Sequence, residues 1–319
     1  MIVVAGAGAF GTAMACALSA NGPVTLLARD ERAASEIQSS RVNAARLPGV
    51  HLDERISVTA DTGCLSTADI ILLAIPSGSV AQFTSRHLSE SRQPLVACCK
   101  GLDIDSGKGP TGLIADAAPR STPAILTGPS FAEEIGKGLP TAVTLACSDE
   151  TAGLELQRRL STPNLRLYFT PDTVGAEVGG ALKNVIAIAA GATIGAGFGE
   201  SARAAILTRG FEEMRKVGTK LGADPTTLAG LSGLGDLILT GMSEKSRNYR
   251  YGLSKGAGEM ESSGETVEGV RSASAIKRLL GDDEEGFPIL SLTARFVEDE
   301  ITPNEALSTL LARPLRQER

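Results

Sequence analysis

Only two histidines, His51 and His87, occur in the 319 residues, and the five cysteines form no C-x-x-C pair and no zinc spacing. His51 falls in a loop near Pro48 and His87 in a surface helix pattern, so no metal site is expected and acid–base chemistry falls to lysines and carboxylates. Lys183 is the first candidate, within Gly175-Ala176-Glu177-Val178-Gly179-Gly180-Ala181-Leu182-Lys183-Asn184-Val185. Its helical neighbours are Gly179, Gly180, Ile186 and Ala187, which put it on a crowded face of small residues. Burying an unpaired ammonium costs several kcal/mol or lowers its pKa. Either outcome suits a group that exchanges protons near neutral pH. A structural ion pair, to Asp236 or Glu177, is the reading without chemistry.

Lys100, in Cys98-Cys99-Lys100-Gly101-Leu102, ends a buried apolar run. In open α/β sheets ligands lie beyond the carboxyl ends of strands, so this lysine is placed to face one; it could equally mark where the strand surfaces. Thr127-Gly128-Pro129-Ser130-Phe131-Ala132-Glu133 reads as a strand turning into a helix, with Gly128 and Ser130 offering amides and a hydroxyl. A plain capping box from Ser130 and Glu133 is the alternative. Gly233-Leu234-Gly235-Asp236 sets a carboxylate on a tight turn. Ser246-Arg247-Asn248 looks like a helix start with hydroxyl, guanidinium and amide groups available for a phosphate. Thr266-Val267-Glu268-Gly269 adds a carboxylate within reach of a cofactor.

The cofactor is indicated at the other end of the chain. Ile2-Val3-Val4-Ala5 leads into Gly6-Ala7-Gly8-Ala9-Phe10-Gly11 and then a helical pattern. G-x-G-x-x-G between strand and helix is the dinucleotide-binding arrangement: the first glycine turns, the second admits a pyrophosphate, and the third lets helix pack on strand. The helix N-terminus supplies free amides to the phosphates. The second strand ends Leu27-Ala28-Arg29-Asp30. Arg29 beside the usual acidic slot favours NADP over NAD, since a guanidinium can pair with a 2′-phosphate. Asp30 could turn inward, or it could cap the next helix and leave Arg29 solvated.

The elements that must position these residues alternate through the first 170. Strands are expected at 2–5, 24–28, 69–75, 95–99, 124–126, 142–146 and 165–169, and helices at 12–20, 31–39, 79–89, 109–117, 130–136 and 150–160. From Pro171 the patterns are helical only: 174–190, 202–221, 225–230, a segment near 234–240, 250–262, 270–280, 290–298 and 303–311. The expected fold is α/β, an N-terminal Rossmann-type doubly wound sheet (1–170) followed by an all-α C-terminal domain (171–319).

With a net charge of −6, the composition argues against a nucleic-acid partner. Tryptophan is absent and aromatics are scarce, so the core must be aliphatic. The apolar stretch 174–197 holds Glu177 and Lys183 and is rich in Gly and Ala, which fits a close-packed soluble helix rather than a membrane span. Such small-residue helices suit pairing into a homodimer. No targeting segment precedes the first strand, and the cysteines read as reduced core residues, so the expected compartment is the cytoplasm.

In this order, Gly6-Ala7-Gly8-Ala9-Phe10-Gly11-Thr12-Ala13, Lys100-Gly101-Leu102, Gly128-Pro129-Ser130-Phe131-Ala132, Gly180-Ala181-Leu182-Lys183-Asn184-Val185, Leu231-Ser232-Gly233-Leu234-Gly235-Asp236-Leu237, Ser246-Arg247-Asn248 and Val267-Glu268-Gly269 resemble the bacterial-type NAD(P)-dependent sn-glycerol-3-phosphate dehydrogenases over nearly the whole chain. The resemblance implies reversible hydride transfer between NAD(P)H and dihydroxyacetone phosphate, supplying sn-glycerol 3-phosphate for glycerophospholipid synthesis. It implies Lys183 as the acid–base residue. Lys100, Gly128, Ser130, Asp236, Ser246, Arg247 and Asn248 become substrate contacts. Gly6, Gly8, Ala9, Phe10, Gly11, Arg29, Lys100, Ala132, Arg247, Thr266 and Glu268 become cofactor contacts. Some members carry Ser where this chain has Ala9, so a side-chain bond there is lost and backbone contact remains. Two rivals stand beside this reading. In a β-hydroxyacid dehydrogenase, Asn would usually follow the lysine by four residues, where Ala187 stands. A non-catalytic NADP sensor would not need Lys183 and Asp236.

Overall fold

The computed structural model describes residues 1–103, 106–259, 267–281 and 283–314. In chain order the strands are β1 (Ile2–Ala5), β2 (Val24–Leu27), β3 (Ile56–Thr59), β4 (Ile70–Leu73), β5 (Pro94–Ala97), β6 (Thr122–Thr127), β7 (Thr141–Ala146) and β8 (Leu165–Thr170). They form one sheet in the order β3-β2-β1-β4-β5-β6-β7-β8, parallel throughout except for the β6–β7 pair. The central strands Ile2–Ala5, Val24–Leu27 and Ile70–Leu73 are buried at every position, as strands covered on both faces must be. The two edge strands alternate instead: Ile56 and Val58 are buried around exposed Ser57, and Leu165 and Leu167 around exposed Arg166.

The helices of this part are α1 (Ala9–Leu18), α2 (Glu31–Ser40), α3 (Val80–His87), α4 (Pro110–Ala117), α5 (Ala132–Gly136) and α6 (Glu150–Leu160). Side chains alternate across the pleat, so β1 sends Ile2 and Val4 into one core and Val3 and Ala5 into another. The first core takes Met14 and Leu18 of α1, Ile37 of α2, Ile135 of α5 and Leu156 of α6. The second takes Val80 of α3 and Ile114 of α4. This is the doubly wound arrangement expected from the alternating pattern. β3 was not expected, because only two of its four residues are apolar and the run is too short to read.

The remaining helices are α7 (Thr173–Gly195), α8 (Glu200–Lys220), α9 (Pro225–Leu228), α10 (Asp236–Gly241), α11 (Arg247–Gly256), α12 (Glu268–Leu280), α13 (Pro288–Val297) and α14 (Pro303–Leu311). The change to helices alone falls at 171, as the sequence pattern indicates. The compact units divide elsewhere, into Met1–Gly180 with Gly218–Asp236, and Ala181–Val217 with Leu237–Arg319. The physical reason lies in the first turns of α7. Ala176 belongs to the second core of the sheet, and Glu177 accepts the backbone N–H of Thr111 on α4 at 2.6 Å. Gly179 lies against the backbone of Ser232 and Gly233, which brings that segment into the same unit.

Within the second unit, α7 and α11 approach at backbone distance. A Cβ on Gly191 would sit 2.1 Å from the Tyr249 carbonyl oxygen, and one on Gly252 would sit 2.1 Å from that of Ile188. These glycines of α7 and α11 thus serve contact within the chain. By length and hydropathy α7 could cross a membrane, yet 83% of its most apolar window is buried within the protein, the state of a core helix. Glu213 of α8 caps α13, accepting the N–H groups of Ile289 and Leu290 at 2.9 Å each. Pro288 at the first turn leaves those two amides as the ones needing a partner.

Candidate active site

The glycine loop joins β1 to α1. Gly6 holds φ +117°, and a Cβ on it would lie 2.4 Å from the Ala74 carbonyl oxygen. A Cβ on Gly11 would lie 1.9 Å from the Gly6 oxygen. Gly8 is different: a Cβ there would meet nothing within 4 Å. The first and third glycines are thus required by the fold itself, while the second opens onto free space. Gly8 is also the N-cap of α1, whose first turn has no side-chain cap and no acidic residue. Uncapped first-turn amides over an open approach fit a pyrophosphate. Ala9 and Phe10 open the helix, half-buried against the first core, as does Ala132 at the start of α5.

The residue that steadies this loop lies some thirty positions further along the chain. Buried Asn43 donates from Nδ2 to the Ala7 carbonyl at 2.9 Å and to the Thr12 hydroxyl at 2.8 Å. At the end of β2, Asp30 caps α2 by accepting the Ala33 N–H at 2.9 Å. Asp30 is therefore committed to the helix rather than turned inward. Arg29 is left with its side chain 95% exposed.

Four of the expected substrate contacts converge in the first unit. Lys100 Nζ lies 2.5 Å from Asp236 Oδ2 and donates to the Gly128 carbonyl at 3.2 Å. Ser130 Oγ donates to the same carbonyl at 3.0 Å. The side chains of Lys100 and Asp236 are 15% and 2% exposed, so the pair is largely desolvated. Breaking such a pair strands a buried charge, which makes each partner hold the other in place. The capping box imagined for Ser130 and Glu133 does not form: α5 is capped at Phe131 without a side-chain bond, and Glu133 pairs with Lys137. Glu177, considered as a partner for Lys183, caps α4. Burial pushes its carboxyl above the usual range, and the Thr111 bonds offset only part of that rise.

Lys183 lies in the second unit at 6% exposure. Its ammonium donates to Thr240 Oγ1 at 2.7 Å, and Thr240 is itself buried. Thr240 escaped the sequence reading, although it follows Asp236 by one helical turn. The next residue on α7, Asn184, organises a second group. Its Oδ1 accepts Asn248 Nδ2 at 2.7 Å, and its Nδ2 faces Glu268 Oε2 at 3.4 Å. Asn248 Oδ1 in turn accepts the Gly269 N–H at 2.8 Å. Both ends of the Asn248 amide are thus engaged within the protein. Ser246 is buried as the N-cap of α11 and accepts the Tyr249 N–H at 3.2 Å. Of the Ser246-Arg247-Asn248 trio, Arg247 is the one whose side chain is exposed, in the first turn of α11. Thr266 lies outside the described residues.

Two family models match, together spanning most of the chain: the N-terminal part of NAD-dependent glycerol-3-phosphate dehydrogenase over residues 1–153 and its C-terminal part over 172–308. The chain belongs to the NAD-dependent glycerol-3-phosphate dehydrogenase family. A glycerol-3-phosphate dehydrogenase [NAD(P)+] of Cereibacter sphaeroides is 52% identical over 319 residues, covering 100% of both chains. One from a Ruegeria species is 50% identical, covering 99% of each. The crystal structure of glycerol-3-phosphate dehydrogenase from Coxiella burnetii superposes with a TM-score of 0.90 at 31% identity, covering 98% of each chain. Membership in the glycerol-3-phosphate dehydrogenase family sets aside the β-hydroxyacid reading.

Proposed function

We propose that this chain is an NAD(P)-dependent sn-glycerol-3-phosphate dehydrogenase. It interconverts dihydroxyacetone phosphate and sn-glycerol 3-phosphate and supplies the latter to glycerophospholipid synthesis. The observation that carries the reading is the buried ammonium of Lys183, held by the Thr240 hydroxyl. A desolvated ammonium with a fixed direction is suited to proton exchange at one oxygen atom. Family membership supports the same conclusion.

Gly6, Gly8, Ala9, Phe10 and Gly11 would hold the dinucleotide, with Arg29, Ala132 and Glu268 as further contacts. When bound, the nicotinamide supplies hydride for reduction and accepts it for oxidation. Lys183 gives its proton to the C2 oxygen as the ketone is reduced and takes the hydroxyl proton in the opposite direction. Arg247, exposed at the first turn of α11, grips the substrate phosphate, where a helix N-terminus adds to its charge. Ser246 and Asn248 act through their bonds to Tyr249 and Gly269, fixing that turn. Lys100 and Asp236 orient the substrate as a pair, while the Gly128 carbonyl accepts from both Lys100 and Ser130. Orientation of this kind accounts for a large share of catalysis.

The cofactor reading favours NADP, because Asp30 is occupied as a helix cap and Arg29 projects into solvent beside it. The cytoplasm is the compartment that suits the free cysteines Cys16, Cys64, Cys98, Cys99 and Cys147. The test is the initial rate of NADPH and NADH oxidation with dihydroxyacetone phosphate, on the wild type and on Arg29→Ala. Turnover with dihydroxyacetone phosphate and a lower NADPH/NADH ratio in the variant are expected. Absence of turnover with either dinucleotide would overturn the function, and an unchanged ratio would remove Arg29 from the cofactor site.

A further inference from the structure

Asn43 lies between α2 and β3 and is 2% exposed. Its Nδ2 carries two hydrogens and meets two acceptors on the glycine loop, the Ala7 carbonyl at 2.9 Å and the Thr12 hydroxyl at 2.8 Å. The segment that carries it is held independently of the loop. Val42 forms a backbone bridge with His51, and the Asn43 carbonyl accepts the Leu47 N–H at 2.8 Å. Leu47, Val50 and Leu52 are buried in the first core. The amide therefore acts on the loop from a fixed point outside it. The Ala7 carbonyl and the Gly8 N–H belong to one trans peptide unit and point in opposite directions. Holding the carbonyl towards Asn43 turns the Gly8 N–H away from it. Rotation of this unit is otherwise easy, because it ends in a glycine whose Cβ position meets nothing within 4 Å. Nearby units have backbone anchors: Gly6 N–H donates to the Leu27 carbonyl at 2.9 Å, and Thr12 N–H to the Gly8 carbonyl at 3.0 Å. For the Ala7–Gly8 unit the anchor is a side chain.

We infer that Asn43 is a positioning residue for dinucleotide binding, which aims the Gly8 N–H at the pyrophosphate. The inference rests on the glycine loop holding the dinucleotide, as proposed above. The missing side chain at Gly8 that admits a pyrophosphate also leaves the peptide free to turn, and the Asn43 amide removes that freedom. Ordering the amide before the ligand arrives spares the complex that cost. The pyrophosphate is common to NADPH and NADH, so a misdirected amide weakens both by the same factor. Arg29, placed beside the 2′-phosphate, would instead separate the two.

Asn43→Ala removes both bonds to the loop, and Thr12→Val removes only the second. Titration of reduced-nicotinamide fluorescence gives Kd for NADPH and NADH, steady-state rates give kcat and KM, and scanning fluorimetry gives the melting temperature. Asn43→Ala is expected to raise Kd and KM for both dinucleotides by about tenfold, the worth of one neutral hydrogen bond. Its kcat and its NADPH/NADH ratio should stay near those of the wild type. Thr12→Val should melt lower yet bind both dinucleotides as the wild type does, because the Ala7 bond remains. A merely structural Asn43 gives the opposite split, since a smaller active fraction lowers kcat and leaves the Kd of folded molecules unchanged. That split, unchanged binding in Asn43→Ala, or a loss confined to one dinucleotide overturns the inference while leaving the function intact. Should Asn43→Ala not fold, Thr12→Val decides: weakened binding with the Ala7 bond in place overturns it as well. A wild type that binds neither dinucleotide overturns the loop assignment and this inference with it. One that binds both without reducing dihydroxyacetone phosphate overturns the function alone.

Discussion

Lys183 Nζ donates to Thr240 Oγ1 across 2.7 Å, and both side chains are buried. A lysine side chain has four rotatable bonds and ordinarily samples many directions. A buried acceptor at hydrogen-bond distance removes that freedom and fixes where the proton is offered.

Replacing either member should therefore damage turnover more than binding. Lys183→Met is expected to lower kcat by roughly 10²–10⁴-fold, the usual range for losing a general acid–base group. Thr240→Val removes the acceptor and keeps the side-chain shape. It is expected to lower kcat by about tenfold or more, in line with the ~1.5–3 kcal/mol of a hydrogen bond to a charged group. Thr240→Ser should recover most of it. Steady-state kinetics with dihydroxyacetone phosphate, alongside fluorescence titration of NADPH, separates the two effects. A Thr240→Val enzyme with wild-type kcat would show that Thr240 does not orient the lysine.

The three loop glycines should separate cleanly under alanine substitution. Gly11→Ala forces a Cβ to within 1.9 Å of the Gly6 oxygen, and Gly6→Ala combines φ +117° with a contact at 2.4 Å. Both should lower the melting temperature by several degrees, since overpacking of this kind typically costs about 1–3 kcal/mol. Gly8→Ala meets no protein atom within 4 Å and should melt like the wild type. Its added methyl instead enters the space a pyrophosphate needs, so its affinity for NADPH should fall at least tenfold. Differential scanning fluorimetry without and with NADPH reads both quantities. A Gly8→Ala protein that binds NADPH normally would remove the pyrophosphate from this loop.

Most of what the sequence revealed was backbone-level. Ile2-Val3-Val4-Ala5 before G-x-G-x-x-G could only be a buried strand feeding a tight turn, and the loop follows that reading. Lys100, the Gly128-Pro129-Ser130 turn and Asp236 lie far apart in the chain, yet each stands where a strand or turn ends. What stayed hidden was pairing across sequence distance. Nothing local to Lys100 names Asp236 as its partner, nothing near Ala7 points to Asn43, and Thr240 is an ordinary threonine until Lys183 is beside it. The division of the chain was hidden for a related reason. The helical pattern begins at 171, but the first turns of α7 carry Ala176 and Glu177 into contacts with the sheet unit. Periodicity reports where a helix runs and not what it packs on.

Glu213 should give the second unit a pH-dependent stability. Its carboxylate is buried, and burial pushes its pKa up to about 7 from an ordinary 4.5. The Ile289 and Leu290 amides, with the charges of Lys216 and Arg313, pull in the opposite direction and do not restore the ordinary value. Between pH 4.5 and 7 the folded protein thus holds a proton that the unfolded chain has released. Stability must fall as pH rises through that window and level off above it. The whole effect is roughly 3 kcal/mol, at about 1.4 kcal/mol for each pKa unit. Glu177 is shifted in the same direction, so the informative quantity is the difference between wild type and Glu213→Gln. The glutamine retains one acceptor oxygen and cannot titrate. It should lose one of the two bonds to α13 at every pH and flatten the decline between pH 4.5 and 7. Urea denaturation at half-unit pH steps measures this directly. Parallel curves for the two proteins would mean that Glu213 stays ionised across the range, and that the amides of Ile289 and Leu290 outweigh its burial.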